Sequence, residues 1–311
     1  MISIVIPLYN KEYSISRTID TVLNQSYSDF ELIVVNDGST DSSLQVVQKI
    51  DDPRIRIIDK INKRVSSARN TGINVAKSQY VALIDGDDIW DSTCLQTLVD
   101  MVRDFPDAGM WGVNYAYVIE GKLYPRNQAY APNFRGYVEN YFSNFKGDSF
   151  CSSSVMINKE IATLVGLFDE RMRYTEDLDL WYRIILNYPV CFNKEVHAFY
   201  NWDAENRAEK DRNKHFDIHY RWDYYIDKYE DEFKRHPSFA RFVGVRVAYN
   251  ILAGGYYFGD ENDRRATDHI VKYLPYDVLP FKYSLIFKTP RWLGQSLYRL
   301  SLLVKRIKSK K

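Results

Sequence analysis

SSARNTGINVAKSQYVALIDGDD, residues 66–88, is the stretch that decides the fold. Ala68 to Ala76 reads as a helix, and Tyr80 to Ile84 as a short apolar strand. Asp85-Gly86-Asp87-Asp88 follows at once. A helix feeding a strand that ends in carboxylates is the pattern of a parallel sheet, whose ligands bind outside the carboxyl ends of the strands.

The same alternation extends upstream. Ile2 to Pro7 is a strand, and Ile15, Ile19, Val22 and Leu23 fall on one helical face. Phe30 to Val35 is a second strand, and Leu44, Val47 and Ile50 continue as a helix after the turn-rich NDGSTDS. Ile55 to Ile58 is a third strand. Downstream, a helix runs from about Thr93 to Val102. Strands separated by helices of this length predict right-handed βαβ units.

After Asp104 the pattern changes to strands and loops of antiparallel character. Met110 to Ile119 is one such strand, turning at Glu120-Gly121. A helix from Glu176 to about Leu186 and a strand near Val190 to Tyr200 follow. From about residue 205 the chain becomes charged and aromatic helix, as in DIHYRWDYYIDKYEDEFKR at 217–235. The expected organisation is an α/β catalytic unit over 1–205 and a helical region over 206–311.

Composition narrows the function. The chain has 42 basic and 41 acidic residues in 311, a formal charge of +1, which argues against a nucleic-acid partner. Three scattered cysteines give no disulfide framework and suit a reducing compartment. MISIVIPLYN lacks the length and basic flank of a signal peptide, and no apolar run is long enough for a membrane span. The expected location is cytoplasmic. Aromatic content is 15%, with 25 tyrosines, which suits sugar rings, membrane interfaces or core packing.

Three acidic clusters fall where chemistry could use them: Asp37 in NDGS, the DGDD group, and Glu176-Asp177 at a helix start. Each alone reads equally as a turn or a cap. Asp85, Asp87 and Asp88 are the sharpest signal, because three carboxylates in four residues repel one another unless something positive lies between them. A divalent cation shared with substrate phosphates is one common answer. Gly86 would let the backbone approach a ligand closely.

Taken together, IVIPLYN, ELIVVNDGSTDSS, the opening stretch and GLFDERMRYTEDLDLWYRI resemble the family 2 glycosyltransferases of GT-A fold, over about residues 1–200. The resemblance implies a Rossmann-like mixed sheet flanked by helices. It implies that Pro7, Tyr9 and Asn10 line a base pocket and that Asp37 hydrogen-bonds the uracil or ribose. Arg69 would face the nucleotide or the aspartates, or else form an ion pair holding the DGDD loop. Asp85 would touch the ribose or assist the metal. Asp87, with Asp88, would bind Mn²⁺ or Mg²⁺ bridging the diphosphate of a UDP-sugar. Asp177 would be the general base for inverting transfer to a glycan or lipid-linked acceptor. Trp181 would pack beneath the sugar or in the core.

Two departures from the family stand out. Arg64 occupies a position where many relatives have glycine, and Tyr200-Asn201-Trp202-Asp203 replaces Tyr-Arg-x-His. The role of that histidine as a third metal ligand is left to Asp203, His197 or water. The Q-x-x-R-W motif of processive members is absent, so one sugar is expected per encounter. The alternatives are a non-catalytic sugar-nucleotide binder on a degenerate GT-A fold and a nucleotidyltransferase. No G-x-G-x-x-G follows the first strand, which disfavours a dehydrogenase.

The chain ends in a basic stretch with no acid after Asp277, and Leu293, Leu297, Leu300, Val304 and Ile307 share one helical face. Such a helix lies on an anionic membrane surface, at the inner face of the plasma membrane, or packs on its own protein.

Overall fold

The structure is a computed structural model and describes residues 1–144, 149–172, 175–205, 228–254, 292–293 and 296. The chain divides into two compact units, Met1–Arg207 and Ala208–Lys311.

The first unit is built on a mixed sheet of ten strands. They are β1 (Ile2–Leu8), β2 (Phe30–Asp37), β3 (Ile55–Lys60), β4 (Tyr80–Leu83), β5 (Ile89–Trp90), β6 (Met110–Ile119), β7 (Lys122–Pro125), β8 (Arg135–Tyr137), β9 (Val155–Asn158) and β10 (Val190–Asn201). Helices α1 (Ile15–Leu23), α2 (Ser43–Gln48), α3 (Arg64–Val75), α4 (Cys94–Asp104), α5 (Lys159–Leu164) and α6 (Glu176–Asn187) connect them.

The strand order is β3-β2-β1-β4-β9-β6-β10-β5, with β7 on β6 and β8 on β10. From β3 to β4 all pairings are parallel. β9 then runs antiparallel to both β4 and β6, and β6 and β10 pair in parallel again. The mixed α/β fold expected from the sequence is therefore present.

Burial explains the strands. All eight residues of β2 are buried, and β1 is buried except for the half-exposed Pro7, as befits strands covered on both faces. α1 presents Ile15, Thr18, Ile19 and Val22 to the core, and α4 presents Leu95, Leu98 and Met101. α3 approaches β1 through Gly72, where a Cβ would lie 2.3 Å from the Val5 Cγ1 methyl. The β6–β7 hairpin turns at Glu120 and Gly121, whose φ of 49° and 72° fit a two-residue primed turn.

The chain leaves β1 toward β2 on one side and later returns through α3 to β4 on the other. This reversal opens a crevice at the carboxyl ends of β1 and β4, the position where open α/β sheets hold ligands.

In the second unit, residues 228–235 are helical and α7 spans Pro237–Gly254. The expected basic amphipathic tail lies almost entirely outside the described residues. Among the described residues no helix is long and apolar enough to cross a membrane.

Candidate active site

Two loops form one wall of the crevice. Asn10, after β1, has φ 51° and clasps the β2 loop: its amide oxygen accepts from Thr40 N at 2.8 Å, and its backbone N–H donates to Ser39 Oγ at 3.1 Å. Tyr9 beside it is 41% exposed, which leaves its ring open to solvent. Asp37 is buried, and its Oδ1 accepts from Lys60 Nζ at 2.6 Å and from Lys63 N at 3.0 Å. Pro7, Tyr9, Asn10 and Asp37 thus share one sheet edge. Asn10 and Asp37 are engaged by the protein itself.

The acidic loop between β4 and β5 sits opposite, and its three carboxylates are held in three ways. Asp85 Oδ1 pairs with Arg69 Nη2 at 2.7 Å. Asp87 Oδ2 pairs with Lys11 Nζ at 2.7 Å, and the same ammonium donates to the Glu205 carbonyl at 2.6 Å. Asp88 is fully buried, and among the described residues no cation is bonded to it: Ser153 Oγ donates to Oδ2, and Asn201 N donates to Oδ1 at 3.0 Å. Burial first, and then the neighbouring Asp87 and Asp85, push the Asp88 carboxyl well above the usual carboxylate range. Burial also raises Asp87, against the pull of Lys11. Gly86 packs beneath the loop, where a Cβ would lie 3.4 Å from the Pro7 carbonyl oxygen.

Arg69 links this loop to the helix that carries the candidate base. Its guanidinium is buried, donates to Asp85 and, through Nη1, to Glu176 Oε1 at 2.8 Å, and stacks on Phe168 at 5.2 Å. The two carboxylates more than offset the burial cost and raise its pKa further. The ion-pair role for Arg69 is thus the one seen, with a second carboxylate that the sequence did not point to.

Asp177 is half-buried at the start of α6. Its Oδ1 accepts from Leu178 N at 2.8 Å, and among the described residues its side chain has no cation bonded to it, since Arg69 is taken by Glu176. Burial, then Glu176, raise its pKa to about 7, with Arg69 opposing. A carboxyl poised near neutrality can take a proton in the physiological range.

The neighbouring residues have structural work. Trp181 is buried edge-on to Phe168, so it belongs to the core. Arg183 pairs with Asp179 at 2.5 Å and donates to the Val165 and Leu167 carbonyls, which pins the segment before Asp177. His197 lies on β10 with Nδ1 2.9 Å from Asp91, and Asp203 accepts from Glu120 N at 2.6 Å. Arg64 has φ 73°, the left-handed region that glycine adopts without strain, which gives a physical reason for glycine at this position in relatives.

Sequence reasoning missed Lys11, Lys60, Ser153 and Glu205 as members of the site. Lys11 stands next to the IVIPLYN motif, and a search for a cation matching the DGDD charge could have found it. Asn201 acts through its backbone N–H, which no side-chain pattern reveals.

Among the described residues no group of three or more His, Cys, Asp or Glu side chains is arranged to hold a metal. The residues around Asp87 nevertheless fit a hard divalent cation. Its donors are oxygens only, and an ammonium already occupies one face of its carboxylate as a stand-in cation. Further ligands would have to come from substrate oxygens.

A mixed sheet of this order, with an acidic loop at the sheet reversal tied through Arg69 to the start of α6, defines the GT-A class of folds. The glycosyl transferase family 2 profile matches residues 3–163, and the chain belongs to that family. It is 35% identical over 213 residues to the chondroitin synthase of Pasteurella multocida, covering 64% of this chain and 21% of that protein. The structure of S. aureus TarS 1–349 in complex with UDP-GlcNAc superposes with a TM-score of 0.77 at 15% identity, covering 96% of this chain and 89% of that one. A mannosyltransferase from Pyrobaculum calidifontis, in complex with GDP-Man and Mn²⁺, gives 0.56 at 16% identity over 100% and 88%. The chain spans less than half the length of the curated relatives it matches.

Proposed function

We propose that the chain transfers a sugar from a nucleotide diphosphate donor, UDP-sugar in preference, to an acceptor hydroxyl with inversion. The acceptor is a glycan or lipid-linked sugar in surface polysaccharide or glycolipid assembly. Catalysis is assigned to residues 1–205. The observation that carries the reading is the pairing of Arg69 with Glu176 rather than Asp177: among the described residues no cation is bonded to Asp177, and burial and Glu176 outweigh the pull of Arg69 and raise its pKa to about 7.

In this reading Asp177 accepts the proton of the acceptor hydroxyl as the hydroxyl oxygen attacks C1. The C1–O bond to the diphosphate breaks on the opposite face, and one displacement inverts the anomeric centre. Glycoside hydrolysis needs a second carboxyl group to protonate its leaving oxygen, whereas a nucleoside diphosphate needs only its charge stabilised. Asp87 would hold Mn²⁺ or Mg²⁺, which supplies Lewis-acid stabilisation of that charge when bound. Asp88 holds the loop through Ser153 and Asn201, and Asp85 fixes Arg69. Tyr9, Pro7 and the Asp37 turn flank the base, as the family's pattern implies.

The ligands of the related structures, UDP-GlcNAc and GDP-Man, belong to those proteins and support a nucleotide diphosphate sugar here as a class. A thermal-shift screen of such sugars, with and without Mn²⁺, tests the reading through mass action without requiring the acceptor. A UDP-sugar that raises Tm only with Mn²⁺ is the expected result. A chain that no nucleotide sugar stabilises would be a degenerate member of the fold and would end the proposal.

A further inference from the structure

The two cations at the acidic loop are held differently. Arg69 is buried, forked between Asp85 and Glu176, and stacked on Phe168, so its position is over-determined. Lys11 reaches Asp87 on a flexible four-carbon stem from the loop after β1; its ammonium also donates to the Glu205 carbonyl, and it makes point contacts rather than a fixed fork. Among the described residues the Asp87 carboxylate has no hydrogen-bond partner besides Lys11, whereas Asp88 is satisfied by Ser153 and Asn201. All the compensation bonded to Asp87 among the described residues therefore rests on one lysine ammonium. The side chains of Lys11 and Asp87 are 13% and 14% exposed, so the pair is desolvated enough to matter yet open to exchange.

We infer that Lys11 is a resident counter-ion of the donor site. Its ammonium neutralises Asp87 when no donor is bound and passes to the diphosphate of an incoming nucleotide, which leaves Asp87 to a divalent cation. The inference rests on the reading above that Asp87 faces a nucleotide diphosphate and a metal. It has a consequence that a merely structural lysine lacks. Removing the charge acts in opposite directions on two ligands, because Mn²⁺ loses a competitor while the diphosphate loses a partner.

The test uses the full chain and the variants Lys11→Met, Lys11→Gln and Lys11→Arg. Free Mn²⁺ is read by electron paramagnetic resonance without nucleotide, and UDP and inorganic pyrophosphate are titrated calorimetrically in EDTA. A charge-assisted hydrogen bond of ordinary strength corresponds to about a tenfold change in affinity. Lys11→Met and Lys11→Gln are expected to bind Mn²⁺ about tenfold tighter and the two diphosphates about tenfold more weakly, and Lys11→Arg to keep the wild-type order. Unchanged Mn²⁺ affinity overturns the inference. So does a joint loss of Tm and of both affinities in the two neutral variants, the signature of a lysine that only holds the fold. Asp87→Asn separates the two layers. If it keeps Mn²⁺-dependent UDP binding, the assignment of Asp87 is wrong and the inference falls with it. If it loses that dependence while the neutral Lys11 variants match wild type, the inference alone fails.

Discussion

Asp85, Asp87, Asp88 and Asp177 are four carboxylates in four environments: an arginine fork, a lysine, two neutral donors, and a single backbone N–H. In the proposed mechanism the last of these sets the pH behaviour. A general base must be ionised, and burial raises Asp177 to about 7, so kcat/KM is expected to fall as pH drops through about 7. An acid limb near pH 4, the range of an unperturbed carboxylate, would contradict that assignment. Stability follows the same shift with the opposite preference. The unfolded chain releases this proton near pH 4 and the folded chain only near 7, so ionising Asp177 costs stability progressively between those values. Asp177→Asn has no such cost, and is expected to melt above wild type at pH 8 and level with it below pH 4. Equal melting curves at pH 8 would show that the carboxyl is not strained by burial. The sequence made this residue visible as a candidate but hid its environment, because Arg69 meets Glu176 across a separation of 107 residues. Spacing made Asp85, Asp87 and Asp88 conspicuous. It did not separate the buried Asp88 from its neighbours, since that distinction comes from Ser153 and from a backbone donor on β10.

Elements carry the site by how closely they pack. α3 brings Arg69 to the acidic loop only because Gly72 lets the helix lie against Val5 of β1. Gly72→Ala places a methyl where Val5 already is, and overpacking of this kind costs about 1–3 kcal/mol. Chemical denaturation should register that loss, accompanied by weaker nucleotide binding as Arg69 shifts; an unchanged midpoint would mean that α3 can move without consequence. The helices and parallel strands of the first hundred residues were legible because apolar runs of four to eight residues alternate with helical spacing. β9 was not. Its four residues, VMIN, fall in the stretch read as antiparallel in character but carry no signal for insertion between β4 and β6, and that position is settled by pairing with distant strands. The glycine-to-arginine departure at Arg64 likewise became interpretable only from its φ of 73°.

Across the whole molecule, the reversal of strand order at β1 and β4 gathers the loops that carry Tyr9, Asp37 and Asp87 at one edge. That gathering follows from the βαβ rhythm, which is why the fold and the crevice could be anticipated from sequence while the partners inside the crevice could not. The basic C-terminal stretch belongs to this scale too. A peripheral role predicts that the full chain sediments with phosphatidylserine vesicles at low salt and is released as salt screens the contact. A chain that stays in the supernatant at low salt would contradict the peripheral role.

Transfer by Asp177→Asn, measured beside its donor affinity, probes the centre of the account. Titration with the donor sugar nucleotide and Mn²⁺ should give wild-type affinity, while the rate of transfer to acceptor falls roughly a hundredfold or more, as expected for loss of a general base. Near-normal turnover with intact binding would place the base elsewhere and contradict the mechanism.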